Sequence, residues 1–109
     1  MKIYVNDVLL VDEVKIADTF LLRLKGLLGK RKIKSNEGLL LMNCPSVHCF
    51  FMKFPIDAIY LSDTMTVLYK ETIEPWRIGK TVKKTAHILE LYRGRRKLVA
   101  VGDKITIEN

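Results

Sequence analysis

Cys44 and His48 stand four residues apart, with Cys49 directly after the histidine. A thiol beside an imidazole invites two chemistries. The imidazole can lower the thiol pKa and make it a nucleophile, or thiolates and imidazole can share a zinc ion. In an extended segment Cys44 and His48 share a face while Cys49 points away, so Cys44 is the better partner for the histidine. A closed zinc site wants four ligands. No Cys-x-x-Cys pair is present, and the only other histidine, His87, lies far along the chain, so no metal and no cofactor are assigned. Against the thiol reading, cysteine is among the most buried residue types and packs as a small hydrophobe.

The surrounding block, residues 44–63, also holds three of the four phenylalanines. Phe51 and Met52 suit the apolar wall of a ligand pocket, and His48 and Lys53 suit a polar or anionic group held beside it. Lys53 and Asp57 share a face if the segment is extended. Asp57 sits among apolar residues, where a buried carboxylate needs a partner. Lys53 and Arg23 are the candidates. Glu90, inside another apolar run, raises the same question, again with Arg23 as its candidate ion-pair partner. Trp76 follows a proline in a turn, where an aromatic can stack on a ligand or cover the core.

Short elements must position these residues. Residues 2–5 and 8–14 read as strands of a hairpin across Asn6-Asp7. Asp18 or Thr19 caps a helix expected to run to about Leu28, with Phe20, Leu24, Leu27 and Leu28 on one face. Gly38 to Met42 reads as a buried strand ended by Pro45. Residues 56–61 and 65–73 pair across Ser62-Asp63-Thr64, and Pro75-Trp76 closes the second. In the strand 86–92, His87, Leu89 and Leu91 face one way and Ala86, Ile88, Glu90 and Tyr92 the other. A basic turn at 93–97 and a last strand entered through Gly102-Asp103 complete the chain. The expected fold is α+β and mainly β: a small single-domain β-barrel-like fold over residues 1–109 with one main α-helix.

The chain has 109 residues, 49% of them hydrophobic and 28% charged, with a net charge of +7. That is a globular composition, without internal repeats or low-complexity tracts. The positive charge bears on solubility and on attraction to polyanions, not on fold. Three basic clusters, 30–34, 80–84 and 93–97, would track a phosphate backbone if they converged. Aromatic interleaving is sparse, and no nucleic-acid-binding motif is present, so nucleic acid is not the favoured partner. The first residues enter an alternating pattern without a leader, and no apolar run approaches membrane-spanning length. No membrane insertion and a cytoplasmic address are therefore expected.

Several of these residues form a pattern that resembles the bacterial and archaeal family called domain of unknown function 192. Arg23-Leu-Lys-Gly26-Leu27-Leu28 is similar to that family's Arg-x-x-Gly-Leu-Met opening, with Leu28 where Met is usual. Gly38-Leu39-Leu40-Leu41, then His48 through Asp57, resembles its central signature. Leu89-Glu90-Leu91 with Gly94, and Gly102-Asp103 before a final strand, match its C-terminal half. The resemblance spans about 18–107 and implies a compact β-rich domain. Many members carry a secretory or lipoprotein leader that the opening residues here do not show. The resemblance implies no particular activity.

The residues together favour a non-catalytic binding or accessory module. Residues 44–57 and Trp76 form its expected site, and a small polar or anionic ligand or a protein is its expected partner. One alternative is a thiol-dependent enzyme or redox sensor using Cys44 and His48. The other is a nucleic-acid-associated basic protein.

Overall fold

In a computed structural model, the structure describes residues 1–17, 33–45 and 54–109. Strand formation starts at the hairpin. Asn6 and Asp7 both adopt left-handed backbone angles (φ 51 and 62°), the requirement of a two-residue turn whose twist matches its strands. They join β1 (Lys2–Val5) to β2 (Val8–Val11) antiparallel. The last strand, β8 (Ile105–Glu108), pairs with the other side of β1, giving a three-stranded sheet in the order β2-β1-β8.

The chain changes sheets at Asp12. The backbone N–H groups of Asp12 and Glu13 both donate to the Asn36 carbonyl, and the Asn36 side-chain amide donates to Asp12 Oδ1 at 2.9 Å. This polar corner splits the apolar run 8–14 in two. Residues beyond it form β3 (Glu13–Ala17), which lies parallel to β4 (Glu37–Leu41) in the second sheet. A parallel neighbour requires a long crossover connection, and residues 18–36 supply its length. β5 (Ile56–Leu61), β6 (Val67–Ile73) and β7 (His87–Tyr92) complete a five-stranded sheet in the order β3-β4-β7-β5-β6.

The five-stranded sheet has two apolar faces. On one, Leu40, Ile59, Leu61, Leu89 and Leu91 pack with Ile3, Val5, Leu10, Val11 and Ile105 of the small sheet. On the other, Leu39, Leu41, Ile56, Ala58, Tyr60 and Ile88 cluster with Ala17 and Ile33. β5 is buried along its whole length. A strand covered on both faces reads as a continuous apolar run, which is how Ile-Asp-Ala-Ile-Tyr-Leu looks in sequence.

The expected α+β barrel with one main helix is corrected here. The described residues form a mainly β fold of two separate sheets, with no closed barrel and no α-helix. Their one helical element is a 3-10 turn at Arg95–Leu98. The start of β6 meets the segment entering β8 through a Thr66–Lys104 bridge, with the Val67 N–H donating to the Asp103 carbonyl and the Ile105 N–H to the Met65 carbonyl. Closure fails because the break at Asp12 divides the strands between two layers that pack face to face. The helix expected over 18–28 lies outside the described residues.

Candidate functional site

Asp57 is fully buried, on the sheet face shared with Ile59 and Leu61. Its carboxylate accepts from Thr72 Oγ1 at 2.6 Å, from the Gly94 backbone N–H at 2.8 Å and from the Arg96 backbone N–H at 2.9 Å. Arg96 Nε lies 3.8 Å from Asp57 Oδ1 and donates to Thr72 Oγ1 at 2.8 Å. Gly94 has φ 103°, a left-handed angle that glycine takes without strain. That angle turns two backbone donors toward one carboxylate oxygen, a small anion-binding nest.

The turn after β7 is tied down from two further directions. Lys70 Nζ donates to the Arg96 carbonyl at 3.1 Å and to the Val99 carbonyl at 2.5 Å. Arg95 Nε donates to the Ser35 carbonyl at 2.8 Å, so the loop preceding β4 is held against the same turn. This bond sets Lys34, the described lysine of the 30–34 cluster, one residue from a contact of the 93–97 cluster. Acidic groups stand among them: Glu37 Oε1 accepts from the Lys34 backbone N–H, and Glu74 lies 3.6 Å from Arg93.

Beside this turn is a cavity of about 180 Å³ lined by Ile33, Phe54, Pro55, Tyr92 and Arg93. Ile33 and Phe54 belong to the apolar cluster on the face opposite Asp57. Tyr92 ends β7 on that same face. Arg93 is the cationic lining residue, and its ion pair with Glu74 is solvent-exposed on both sides.

Glu90 also lies on this face, between Leu39 of β4 and Ala58 of β5. It is 4% exposed. Among the described residues its carboxyl finds no hydrogen-bond or ionic partner, and burial pushes its pKa up to about 8. Beyond Ala58 stands Glu71 of β6. Its Oε2 accepts from Tyr60 Oη at 2.5 Å and from the Lys80 backbone N–H at 2.8 Å. Burial and this carboxylate hold the Tyr60 phenol well above its ordinary range. At the far end of β7 the Asn43 N–H donates to His87 Nδ1 at 2.9 Å, which fixes the neutral ring with its proton on Nε2. Burial lowers the His87 pKa, partly opposed by the charge of Asp63.

Of the residues expected to form the site, Cys44, Asp57 and Trp76 are described, as is Glu90, which was expected in an ion pair. Asp57 and Glu90 occupy opposite faces, because they pair with adjacent positions, Leu91 and Ala58. Asp57 is engaged by the 94–96 turn, with Arg96 as its ionic partner. Trp76 is 59% exposed, in a turn where its φ is 66°. Cys44 is half-buried as a thiol, packs against the cavity-side cluster, and donates its backbone N–H to the Ala86 carbonyl. Arg23, His48, Phe51, Met52 and Lys53 lie outside the described residues. Among the described residues no three His, Cys, Asp or Glu side chains gather as a metal-binding group. Nor is any helix among them long and apolar enough to cross a membrane. Sequence reasoning missed Thr72, Tyr92, Arg93 and Arg96. The glycine inside Arg93-Gly94-Arg95-Arg96 was the signal, since a glycine flanked by charge marks a backbone bend that can present its N–H groups.

The model of the DUF192 family, described as uncharacterized ACR, matches residues 2–107. The chain belongs to this family. A UPF0127 protein of Pyrococcus horikoshii is 35% identical over 98 residues, covering 85% of each chain. One of Pyrococcus abyssi is 33% identical over 102 residues, covering 85% of this chain and 84% of that one. The DUF192 fold extends to a solved protein of unknown function from Novosphingobium aromaticivorans. Its TM-score is 0.85 at 19% identity, over 97% of this chain and 84% of that one. A crystal structure from Sinorhizobium meliloti aligns with a TM-score of 0.77 at 22% identity, over 85% and 79% of the two chains.

Replacing Asp57 with Ala orphans three donors inside the protein and is expected to cost about 3–5 kcal/mol. Arg96→Ala keeps the backbone N–H and should cost only about 1 kcal/mol. Urea unfolding of both variants checks the order, and equal losses would contradict the nest. Glu90 titrates higher folded, at about 8, than its ordinary 4.5. Its contribution to stability is therefore full below the unfolded value and is lost as pH rises through about 8. His87, with its pKa lowered, has the opposite sign and loses stability as pH falls. Urea midpoints across pH should fall less steeply toward pH 8 in Glu90→Gln than in the parent, whereas parallel profiles would contradict the assignment.

Proposed function

We propose that this DUF192 protein is a non-catalytic binding module for a small amphipathic anion. The observation that carries the reading is the cavity beside the Asp57-held turn. Its described walls, Ile33, Phe54, Pro55 and Tyr92, are apolar or aromatic, and Arg93 is the charged residue among the described lining. Ligand pockets are mostly apolar with a few polar groups that fix orientation. A guanidinium at the edge of an aromatic slot is suited to a carboxylate, which it can engage through two parallel N–H donors.

At about 180 Å³ the cavity is smaller than a drug-sized pocket and takes at most a small ligand, such as an aromatic or branched carboxylic acid. Binding buries the apolar body against Phe54 and Tyr92 and places the carboxylate at Arg93. Glu74 pairs with Arg93 and competes with the ligand for it. The rigid turn keeps Arg93 from following Glu74 away, because Gly94 and Arg96 on its C-terminal side are bonded to Asp57.

Phenylacetate is the probe. Titration calorimetry should show a Kd at or below about 1 mM. Arg93→Ala should weaken binding about tenfold, and Glu74→Gln should strengthen it a few-fold by removing the competitor. Binding that neither substitution moves would place the ligand elsewhere, and no binding would overturn the reading.

A further inference from the structure

Glu74, Pro75, Trp76 and Arg77 make a turn closed by the Arg77 N–H donating to the Glu74 carbonyl. Proline at the second position and a left-handed residue at the third are the marks of a type II turn, whose third position favours glycine. Trp76 holds that position at φ 66°, where a bulky side chain is strained. It is also 59% exposed, and Ile78, two residues on, is 69% exposed. Most of each side chain faces solvent, and glycine would suit the Trp76 backbone better. Strained positions and exposed apolar groups of this kind gather at binding surfaces.

The segment that follows is pinned over the cavity-side face of β6. The Lys80 N–H donates to Glu71 Oε2, Lys80 Nζ stands 5.2 Å from the Tyr69 ring centroid, and Val82 packs on the same apolar cluster as Tyr69. The Ala86 N–H then donates to the Leu61 carbonyl. Trp76 and Ile78 therefore project from a fixed base. A second turn, closed by the Thr85 N–H on the Val82 carbonyl, presents Lys83 and Lys84 to solvent, and Arg77 is exposed between the two apolar tips. Residues 75–84 carry four cations and no carboxylate. The acidic groups beside them are engaged, Glu74 by Arg93 and Glu71 by Tyr60 and Lys80.

We propose that residues 75–84 form a docking surface for an anionic lipid bilayer. Trp76 and Ile78 enter the boundary between headgroups and acyl chains, and Arg77, Lys83 and Lys84 meet the lipid phosphates. Tryptophan is favoured at that boundary because its ring is apolar and its N–H is polar. Basic residues near an anionic leaflet each add to the attraction. Ile78 selects this occupant over a nucleic acid. A base stacks on an aromatic ring and finds no such face on an aliphatic tip, whereas lipid takes both side chains. The contact is peripheral, since no described helix is long and apolar enough to cross a membrane. It stands independently of the cavity reading.

Trp76 is the chain's one tryptophan, so its fluorescence reports the contact directly. The full chain is titrated with vesicles of equal parts phosphatidylcholine and phosphatidylglycerol, and with vesicles of phosphatidylcholine alone. The anionic vesicles should give a saturable blue shift that brominated acyl chains quench, and the neutral ones should bind at least about tenfold more weakly. Ile78→Ser keeps the fluorophore and should weaken partitioning about tenfold. Trp76→Gly, followed by vesicle co-sedimentation, should do the same with little change in the urea midpoint, because glycine suits the left-handed angle. No blue shift with anionic vesicles overturns the proposal, as does sedimentation that survives both substitutions. A blue shift given by a single-stranded oligonucleotide, with no bromine quenching in vesicles, assigns the surface to nucleic acid and overturns it too.

Discussion

The carboxylate of Asp57 is the interaction on which the site depends. It sits in a central strand with no exposed surface, where a charge is tolerated only if its oxygens are satisfied. The chain satisfies them with backbone donors from beyond β7, which forces Gly94 into a left-handed angle and brings the Arg95–Leu98 turn onto β5 and β6. Lys70 then closes the end of that turn, and Arg95 reaches back to Ser35. Tyr92 and Arg93 enter the turn from the strand side, so their positions follow from the same three hydrogen bonds.

Strand pairing converts one sequence step into two environments. Asp57 and Ala58 are neighbours in β5, and their partners in β7 are Leu91 and Glu90. Because side chains alternate, one carboxylate points toward the small sheet and the other toward the cavity face. The first is saturated by the fold. The second is buried without a described partner and so carries a raised pKa. A carboxylate saturated by the fold and one without a partner among the described residues thus arise from adjacent rungs of the same ladder.

Much of the strand pattern was legible from local chemistry. Asn6-Asp7 named its turn because both residues tolerate a left-handed backbone. The face alternation of His87 through Tyr92 emerged from period-two spacing. What escaped were the long-range arrangements. Asp12 looks like one polar residue in an apolar run, and only its bonds to Asn36 show that the chain changes sheets there. The parallel pairing of β3 with β4 has no local signature. Asp57 was legible as a carboxylate in need of a partner. That its partners are mainly backbone N–H groups was not, since every residue carries one. The cavity was hidden for a similar reason, because Ile33, Phe54 and Tyr92 are brought together only by the register of three segments distant in sequence. Phe54 and Pro55 do fall within the block marked by sequence, whereas Tyr92 was read only as the end of a strand and Arg93 only as part of a basic turn.

The most direct test is amide chemical-shift mapping of the ¹⁵N-labelled protein during titration with phenylacetate. The account predicts saturable shifts concentrated at Ile33, Phe54, Tyr92 and Arg93, with smaller ones at Gly94 and Arg96 through the Asp57 hydrogen bonds. Shifts confined to the Trp76 turn or to the small sheet, with the Tyr92–Arg93 amides unmoved, would contradict it.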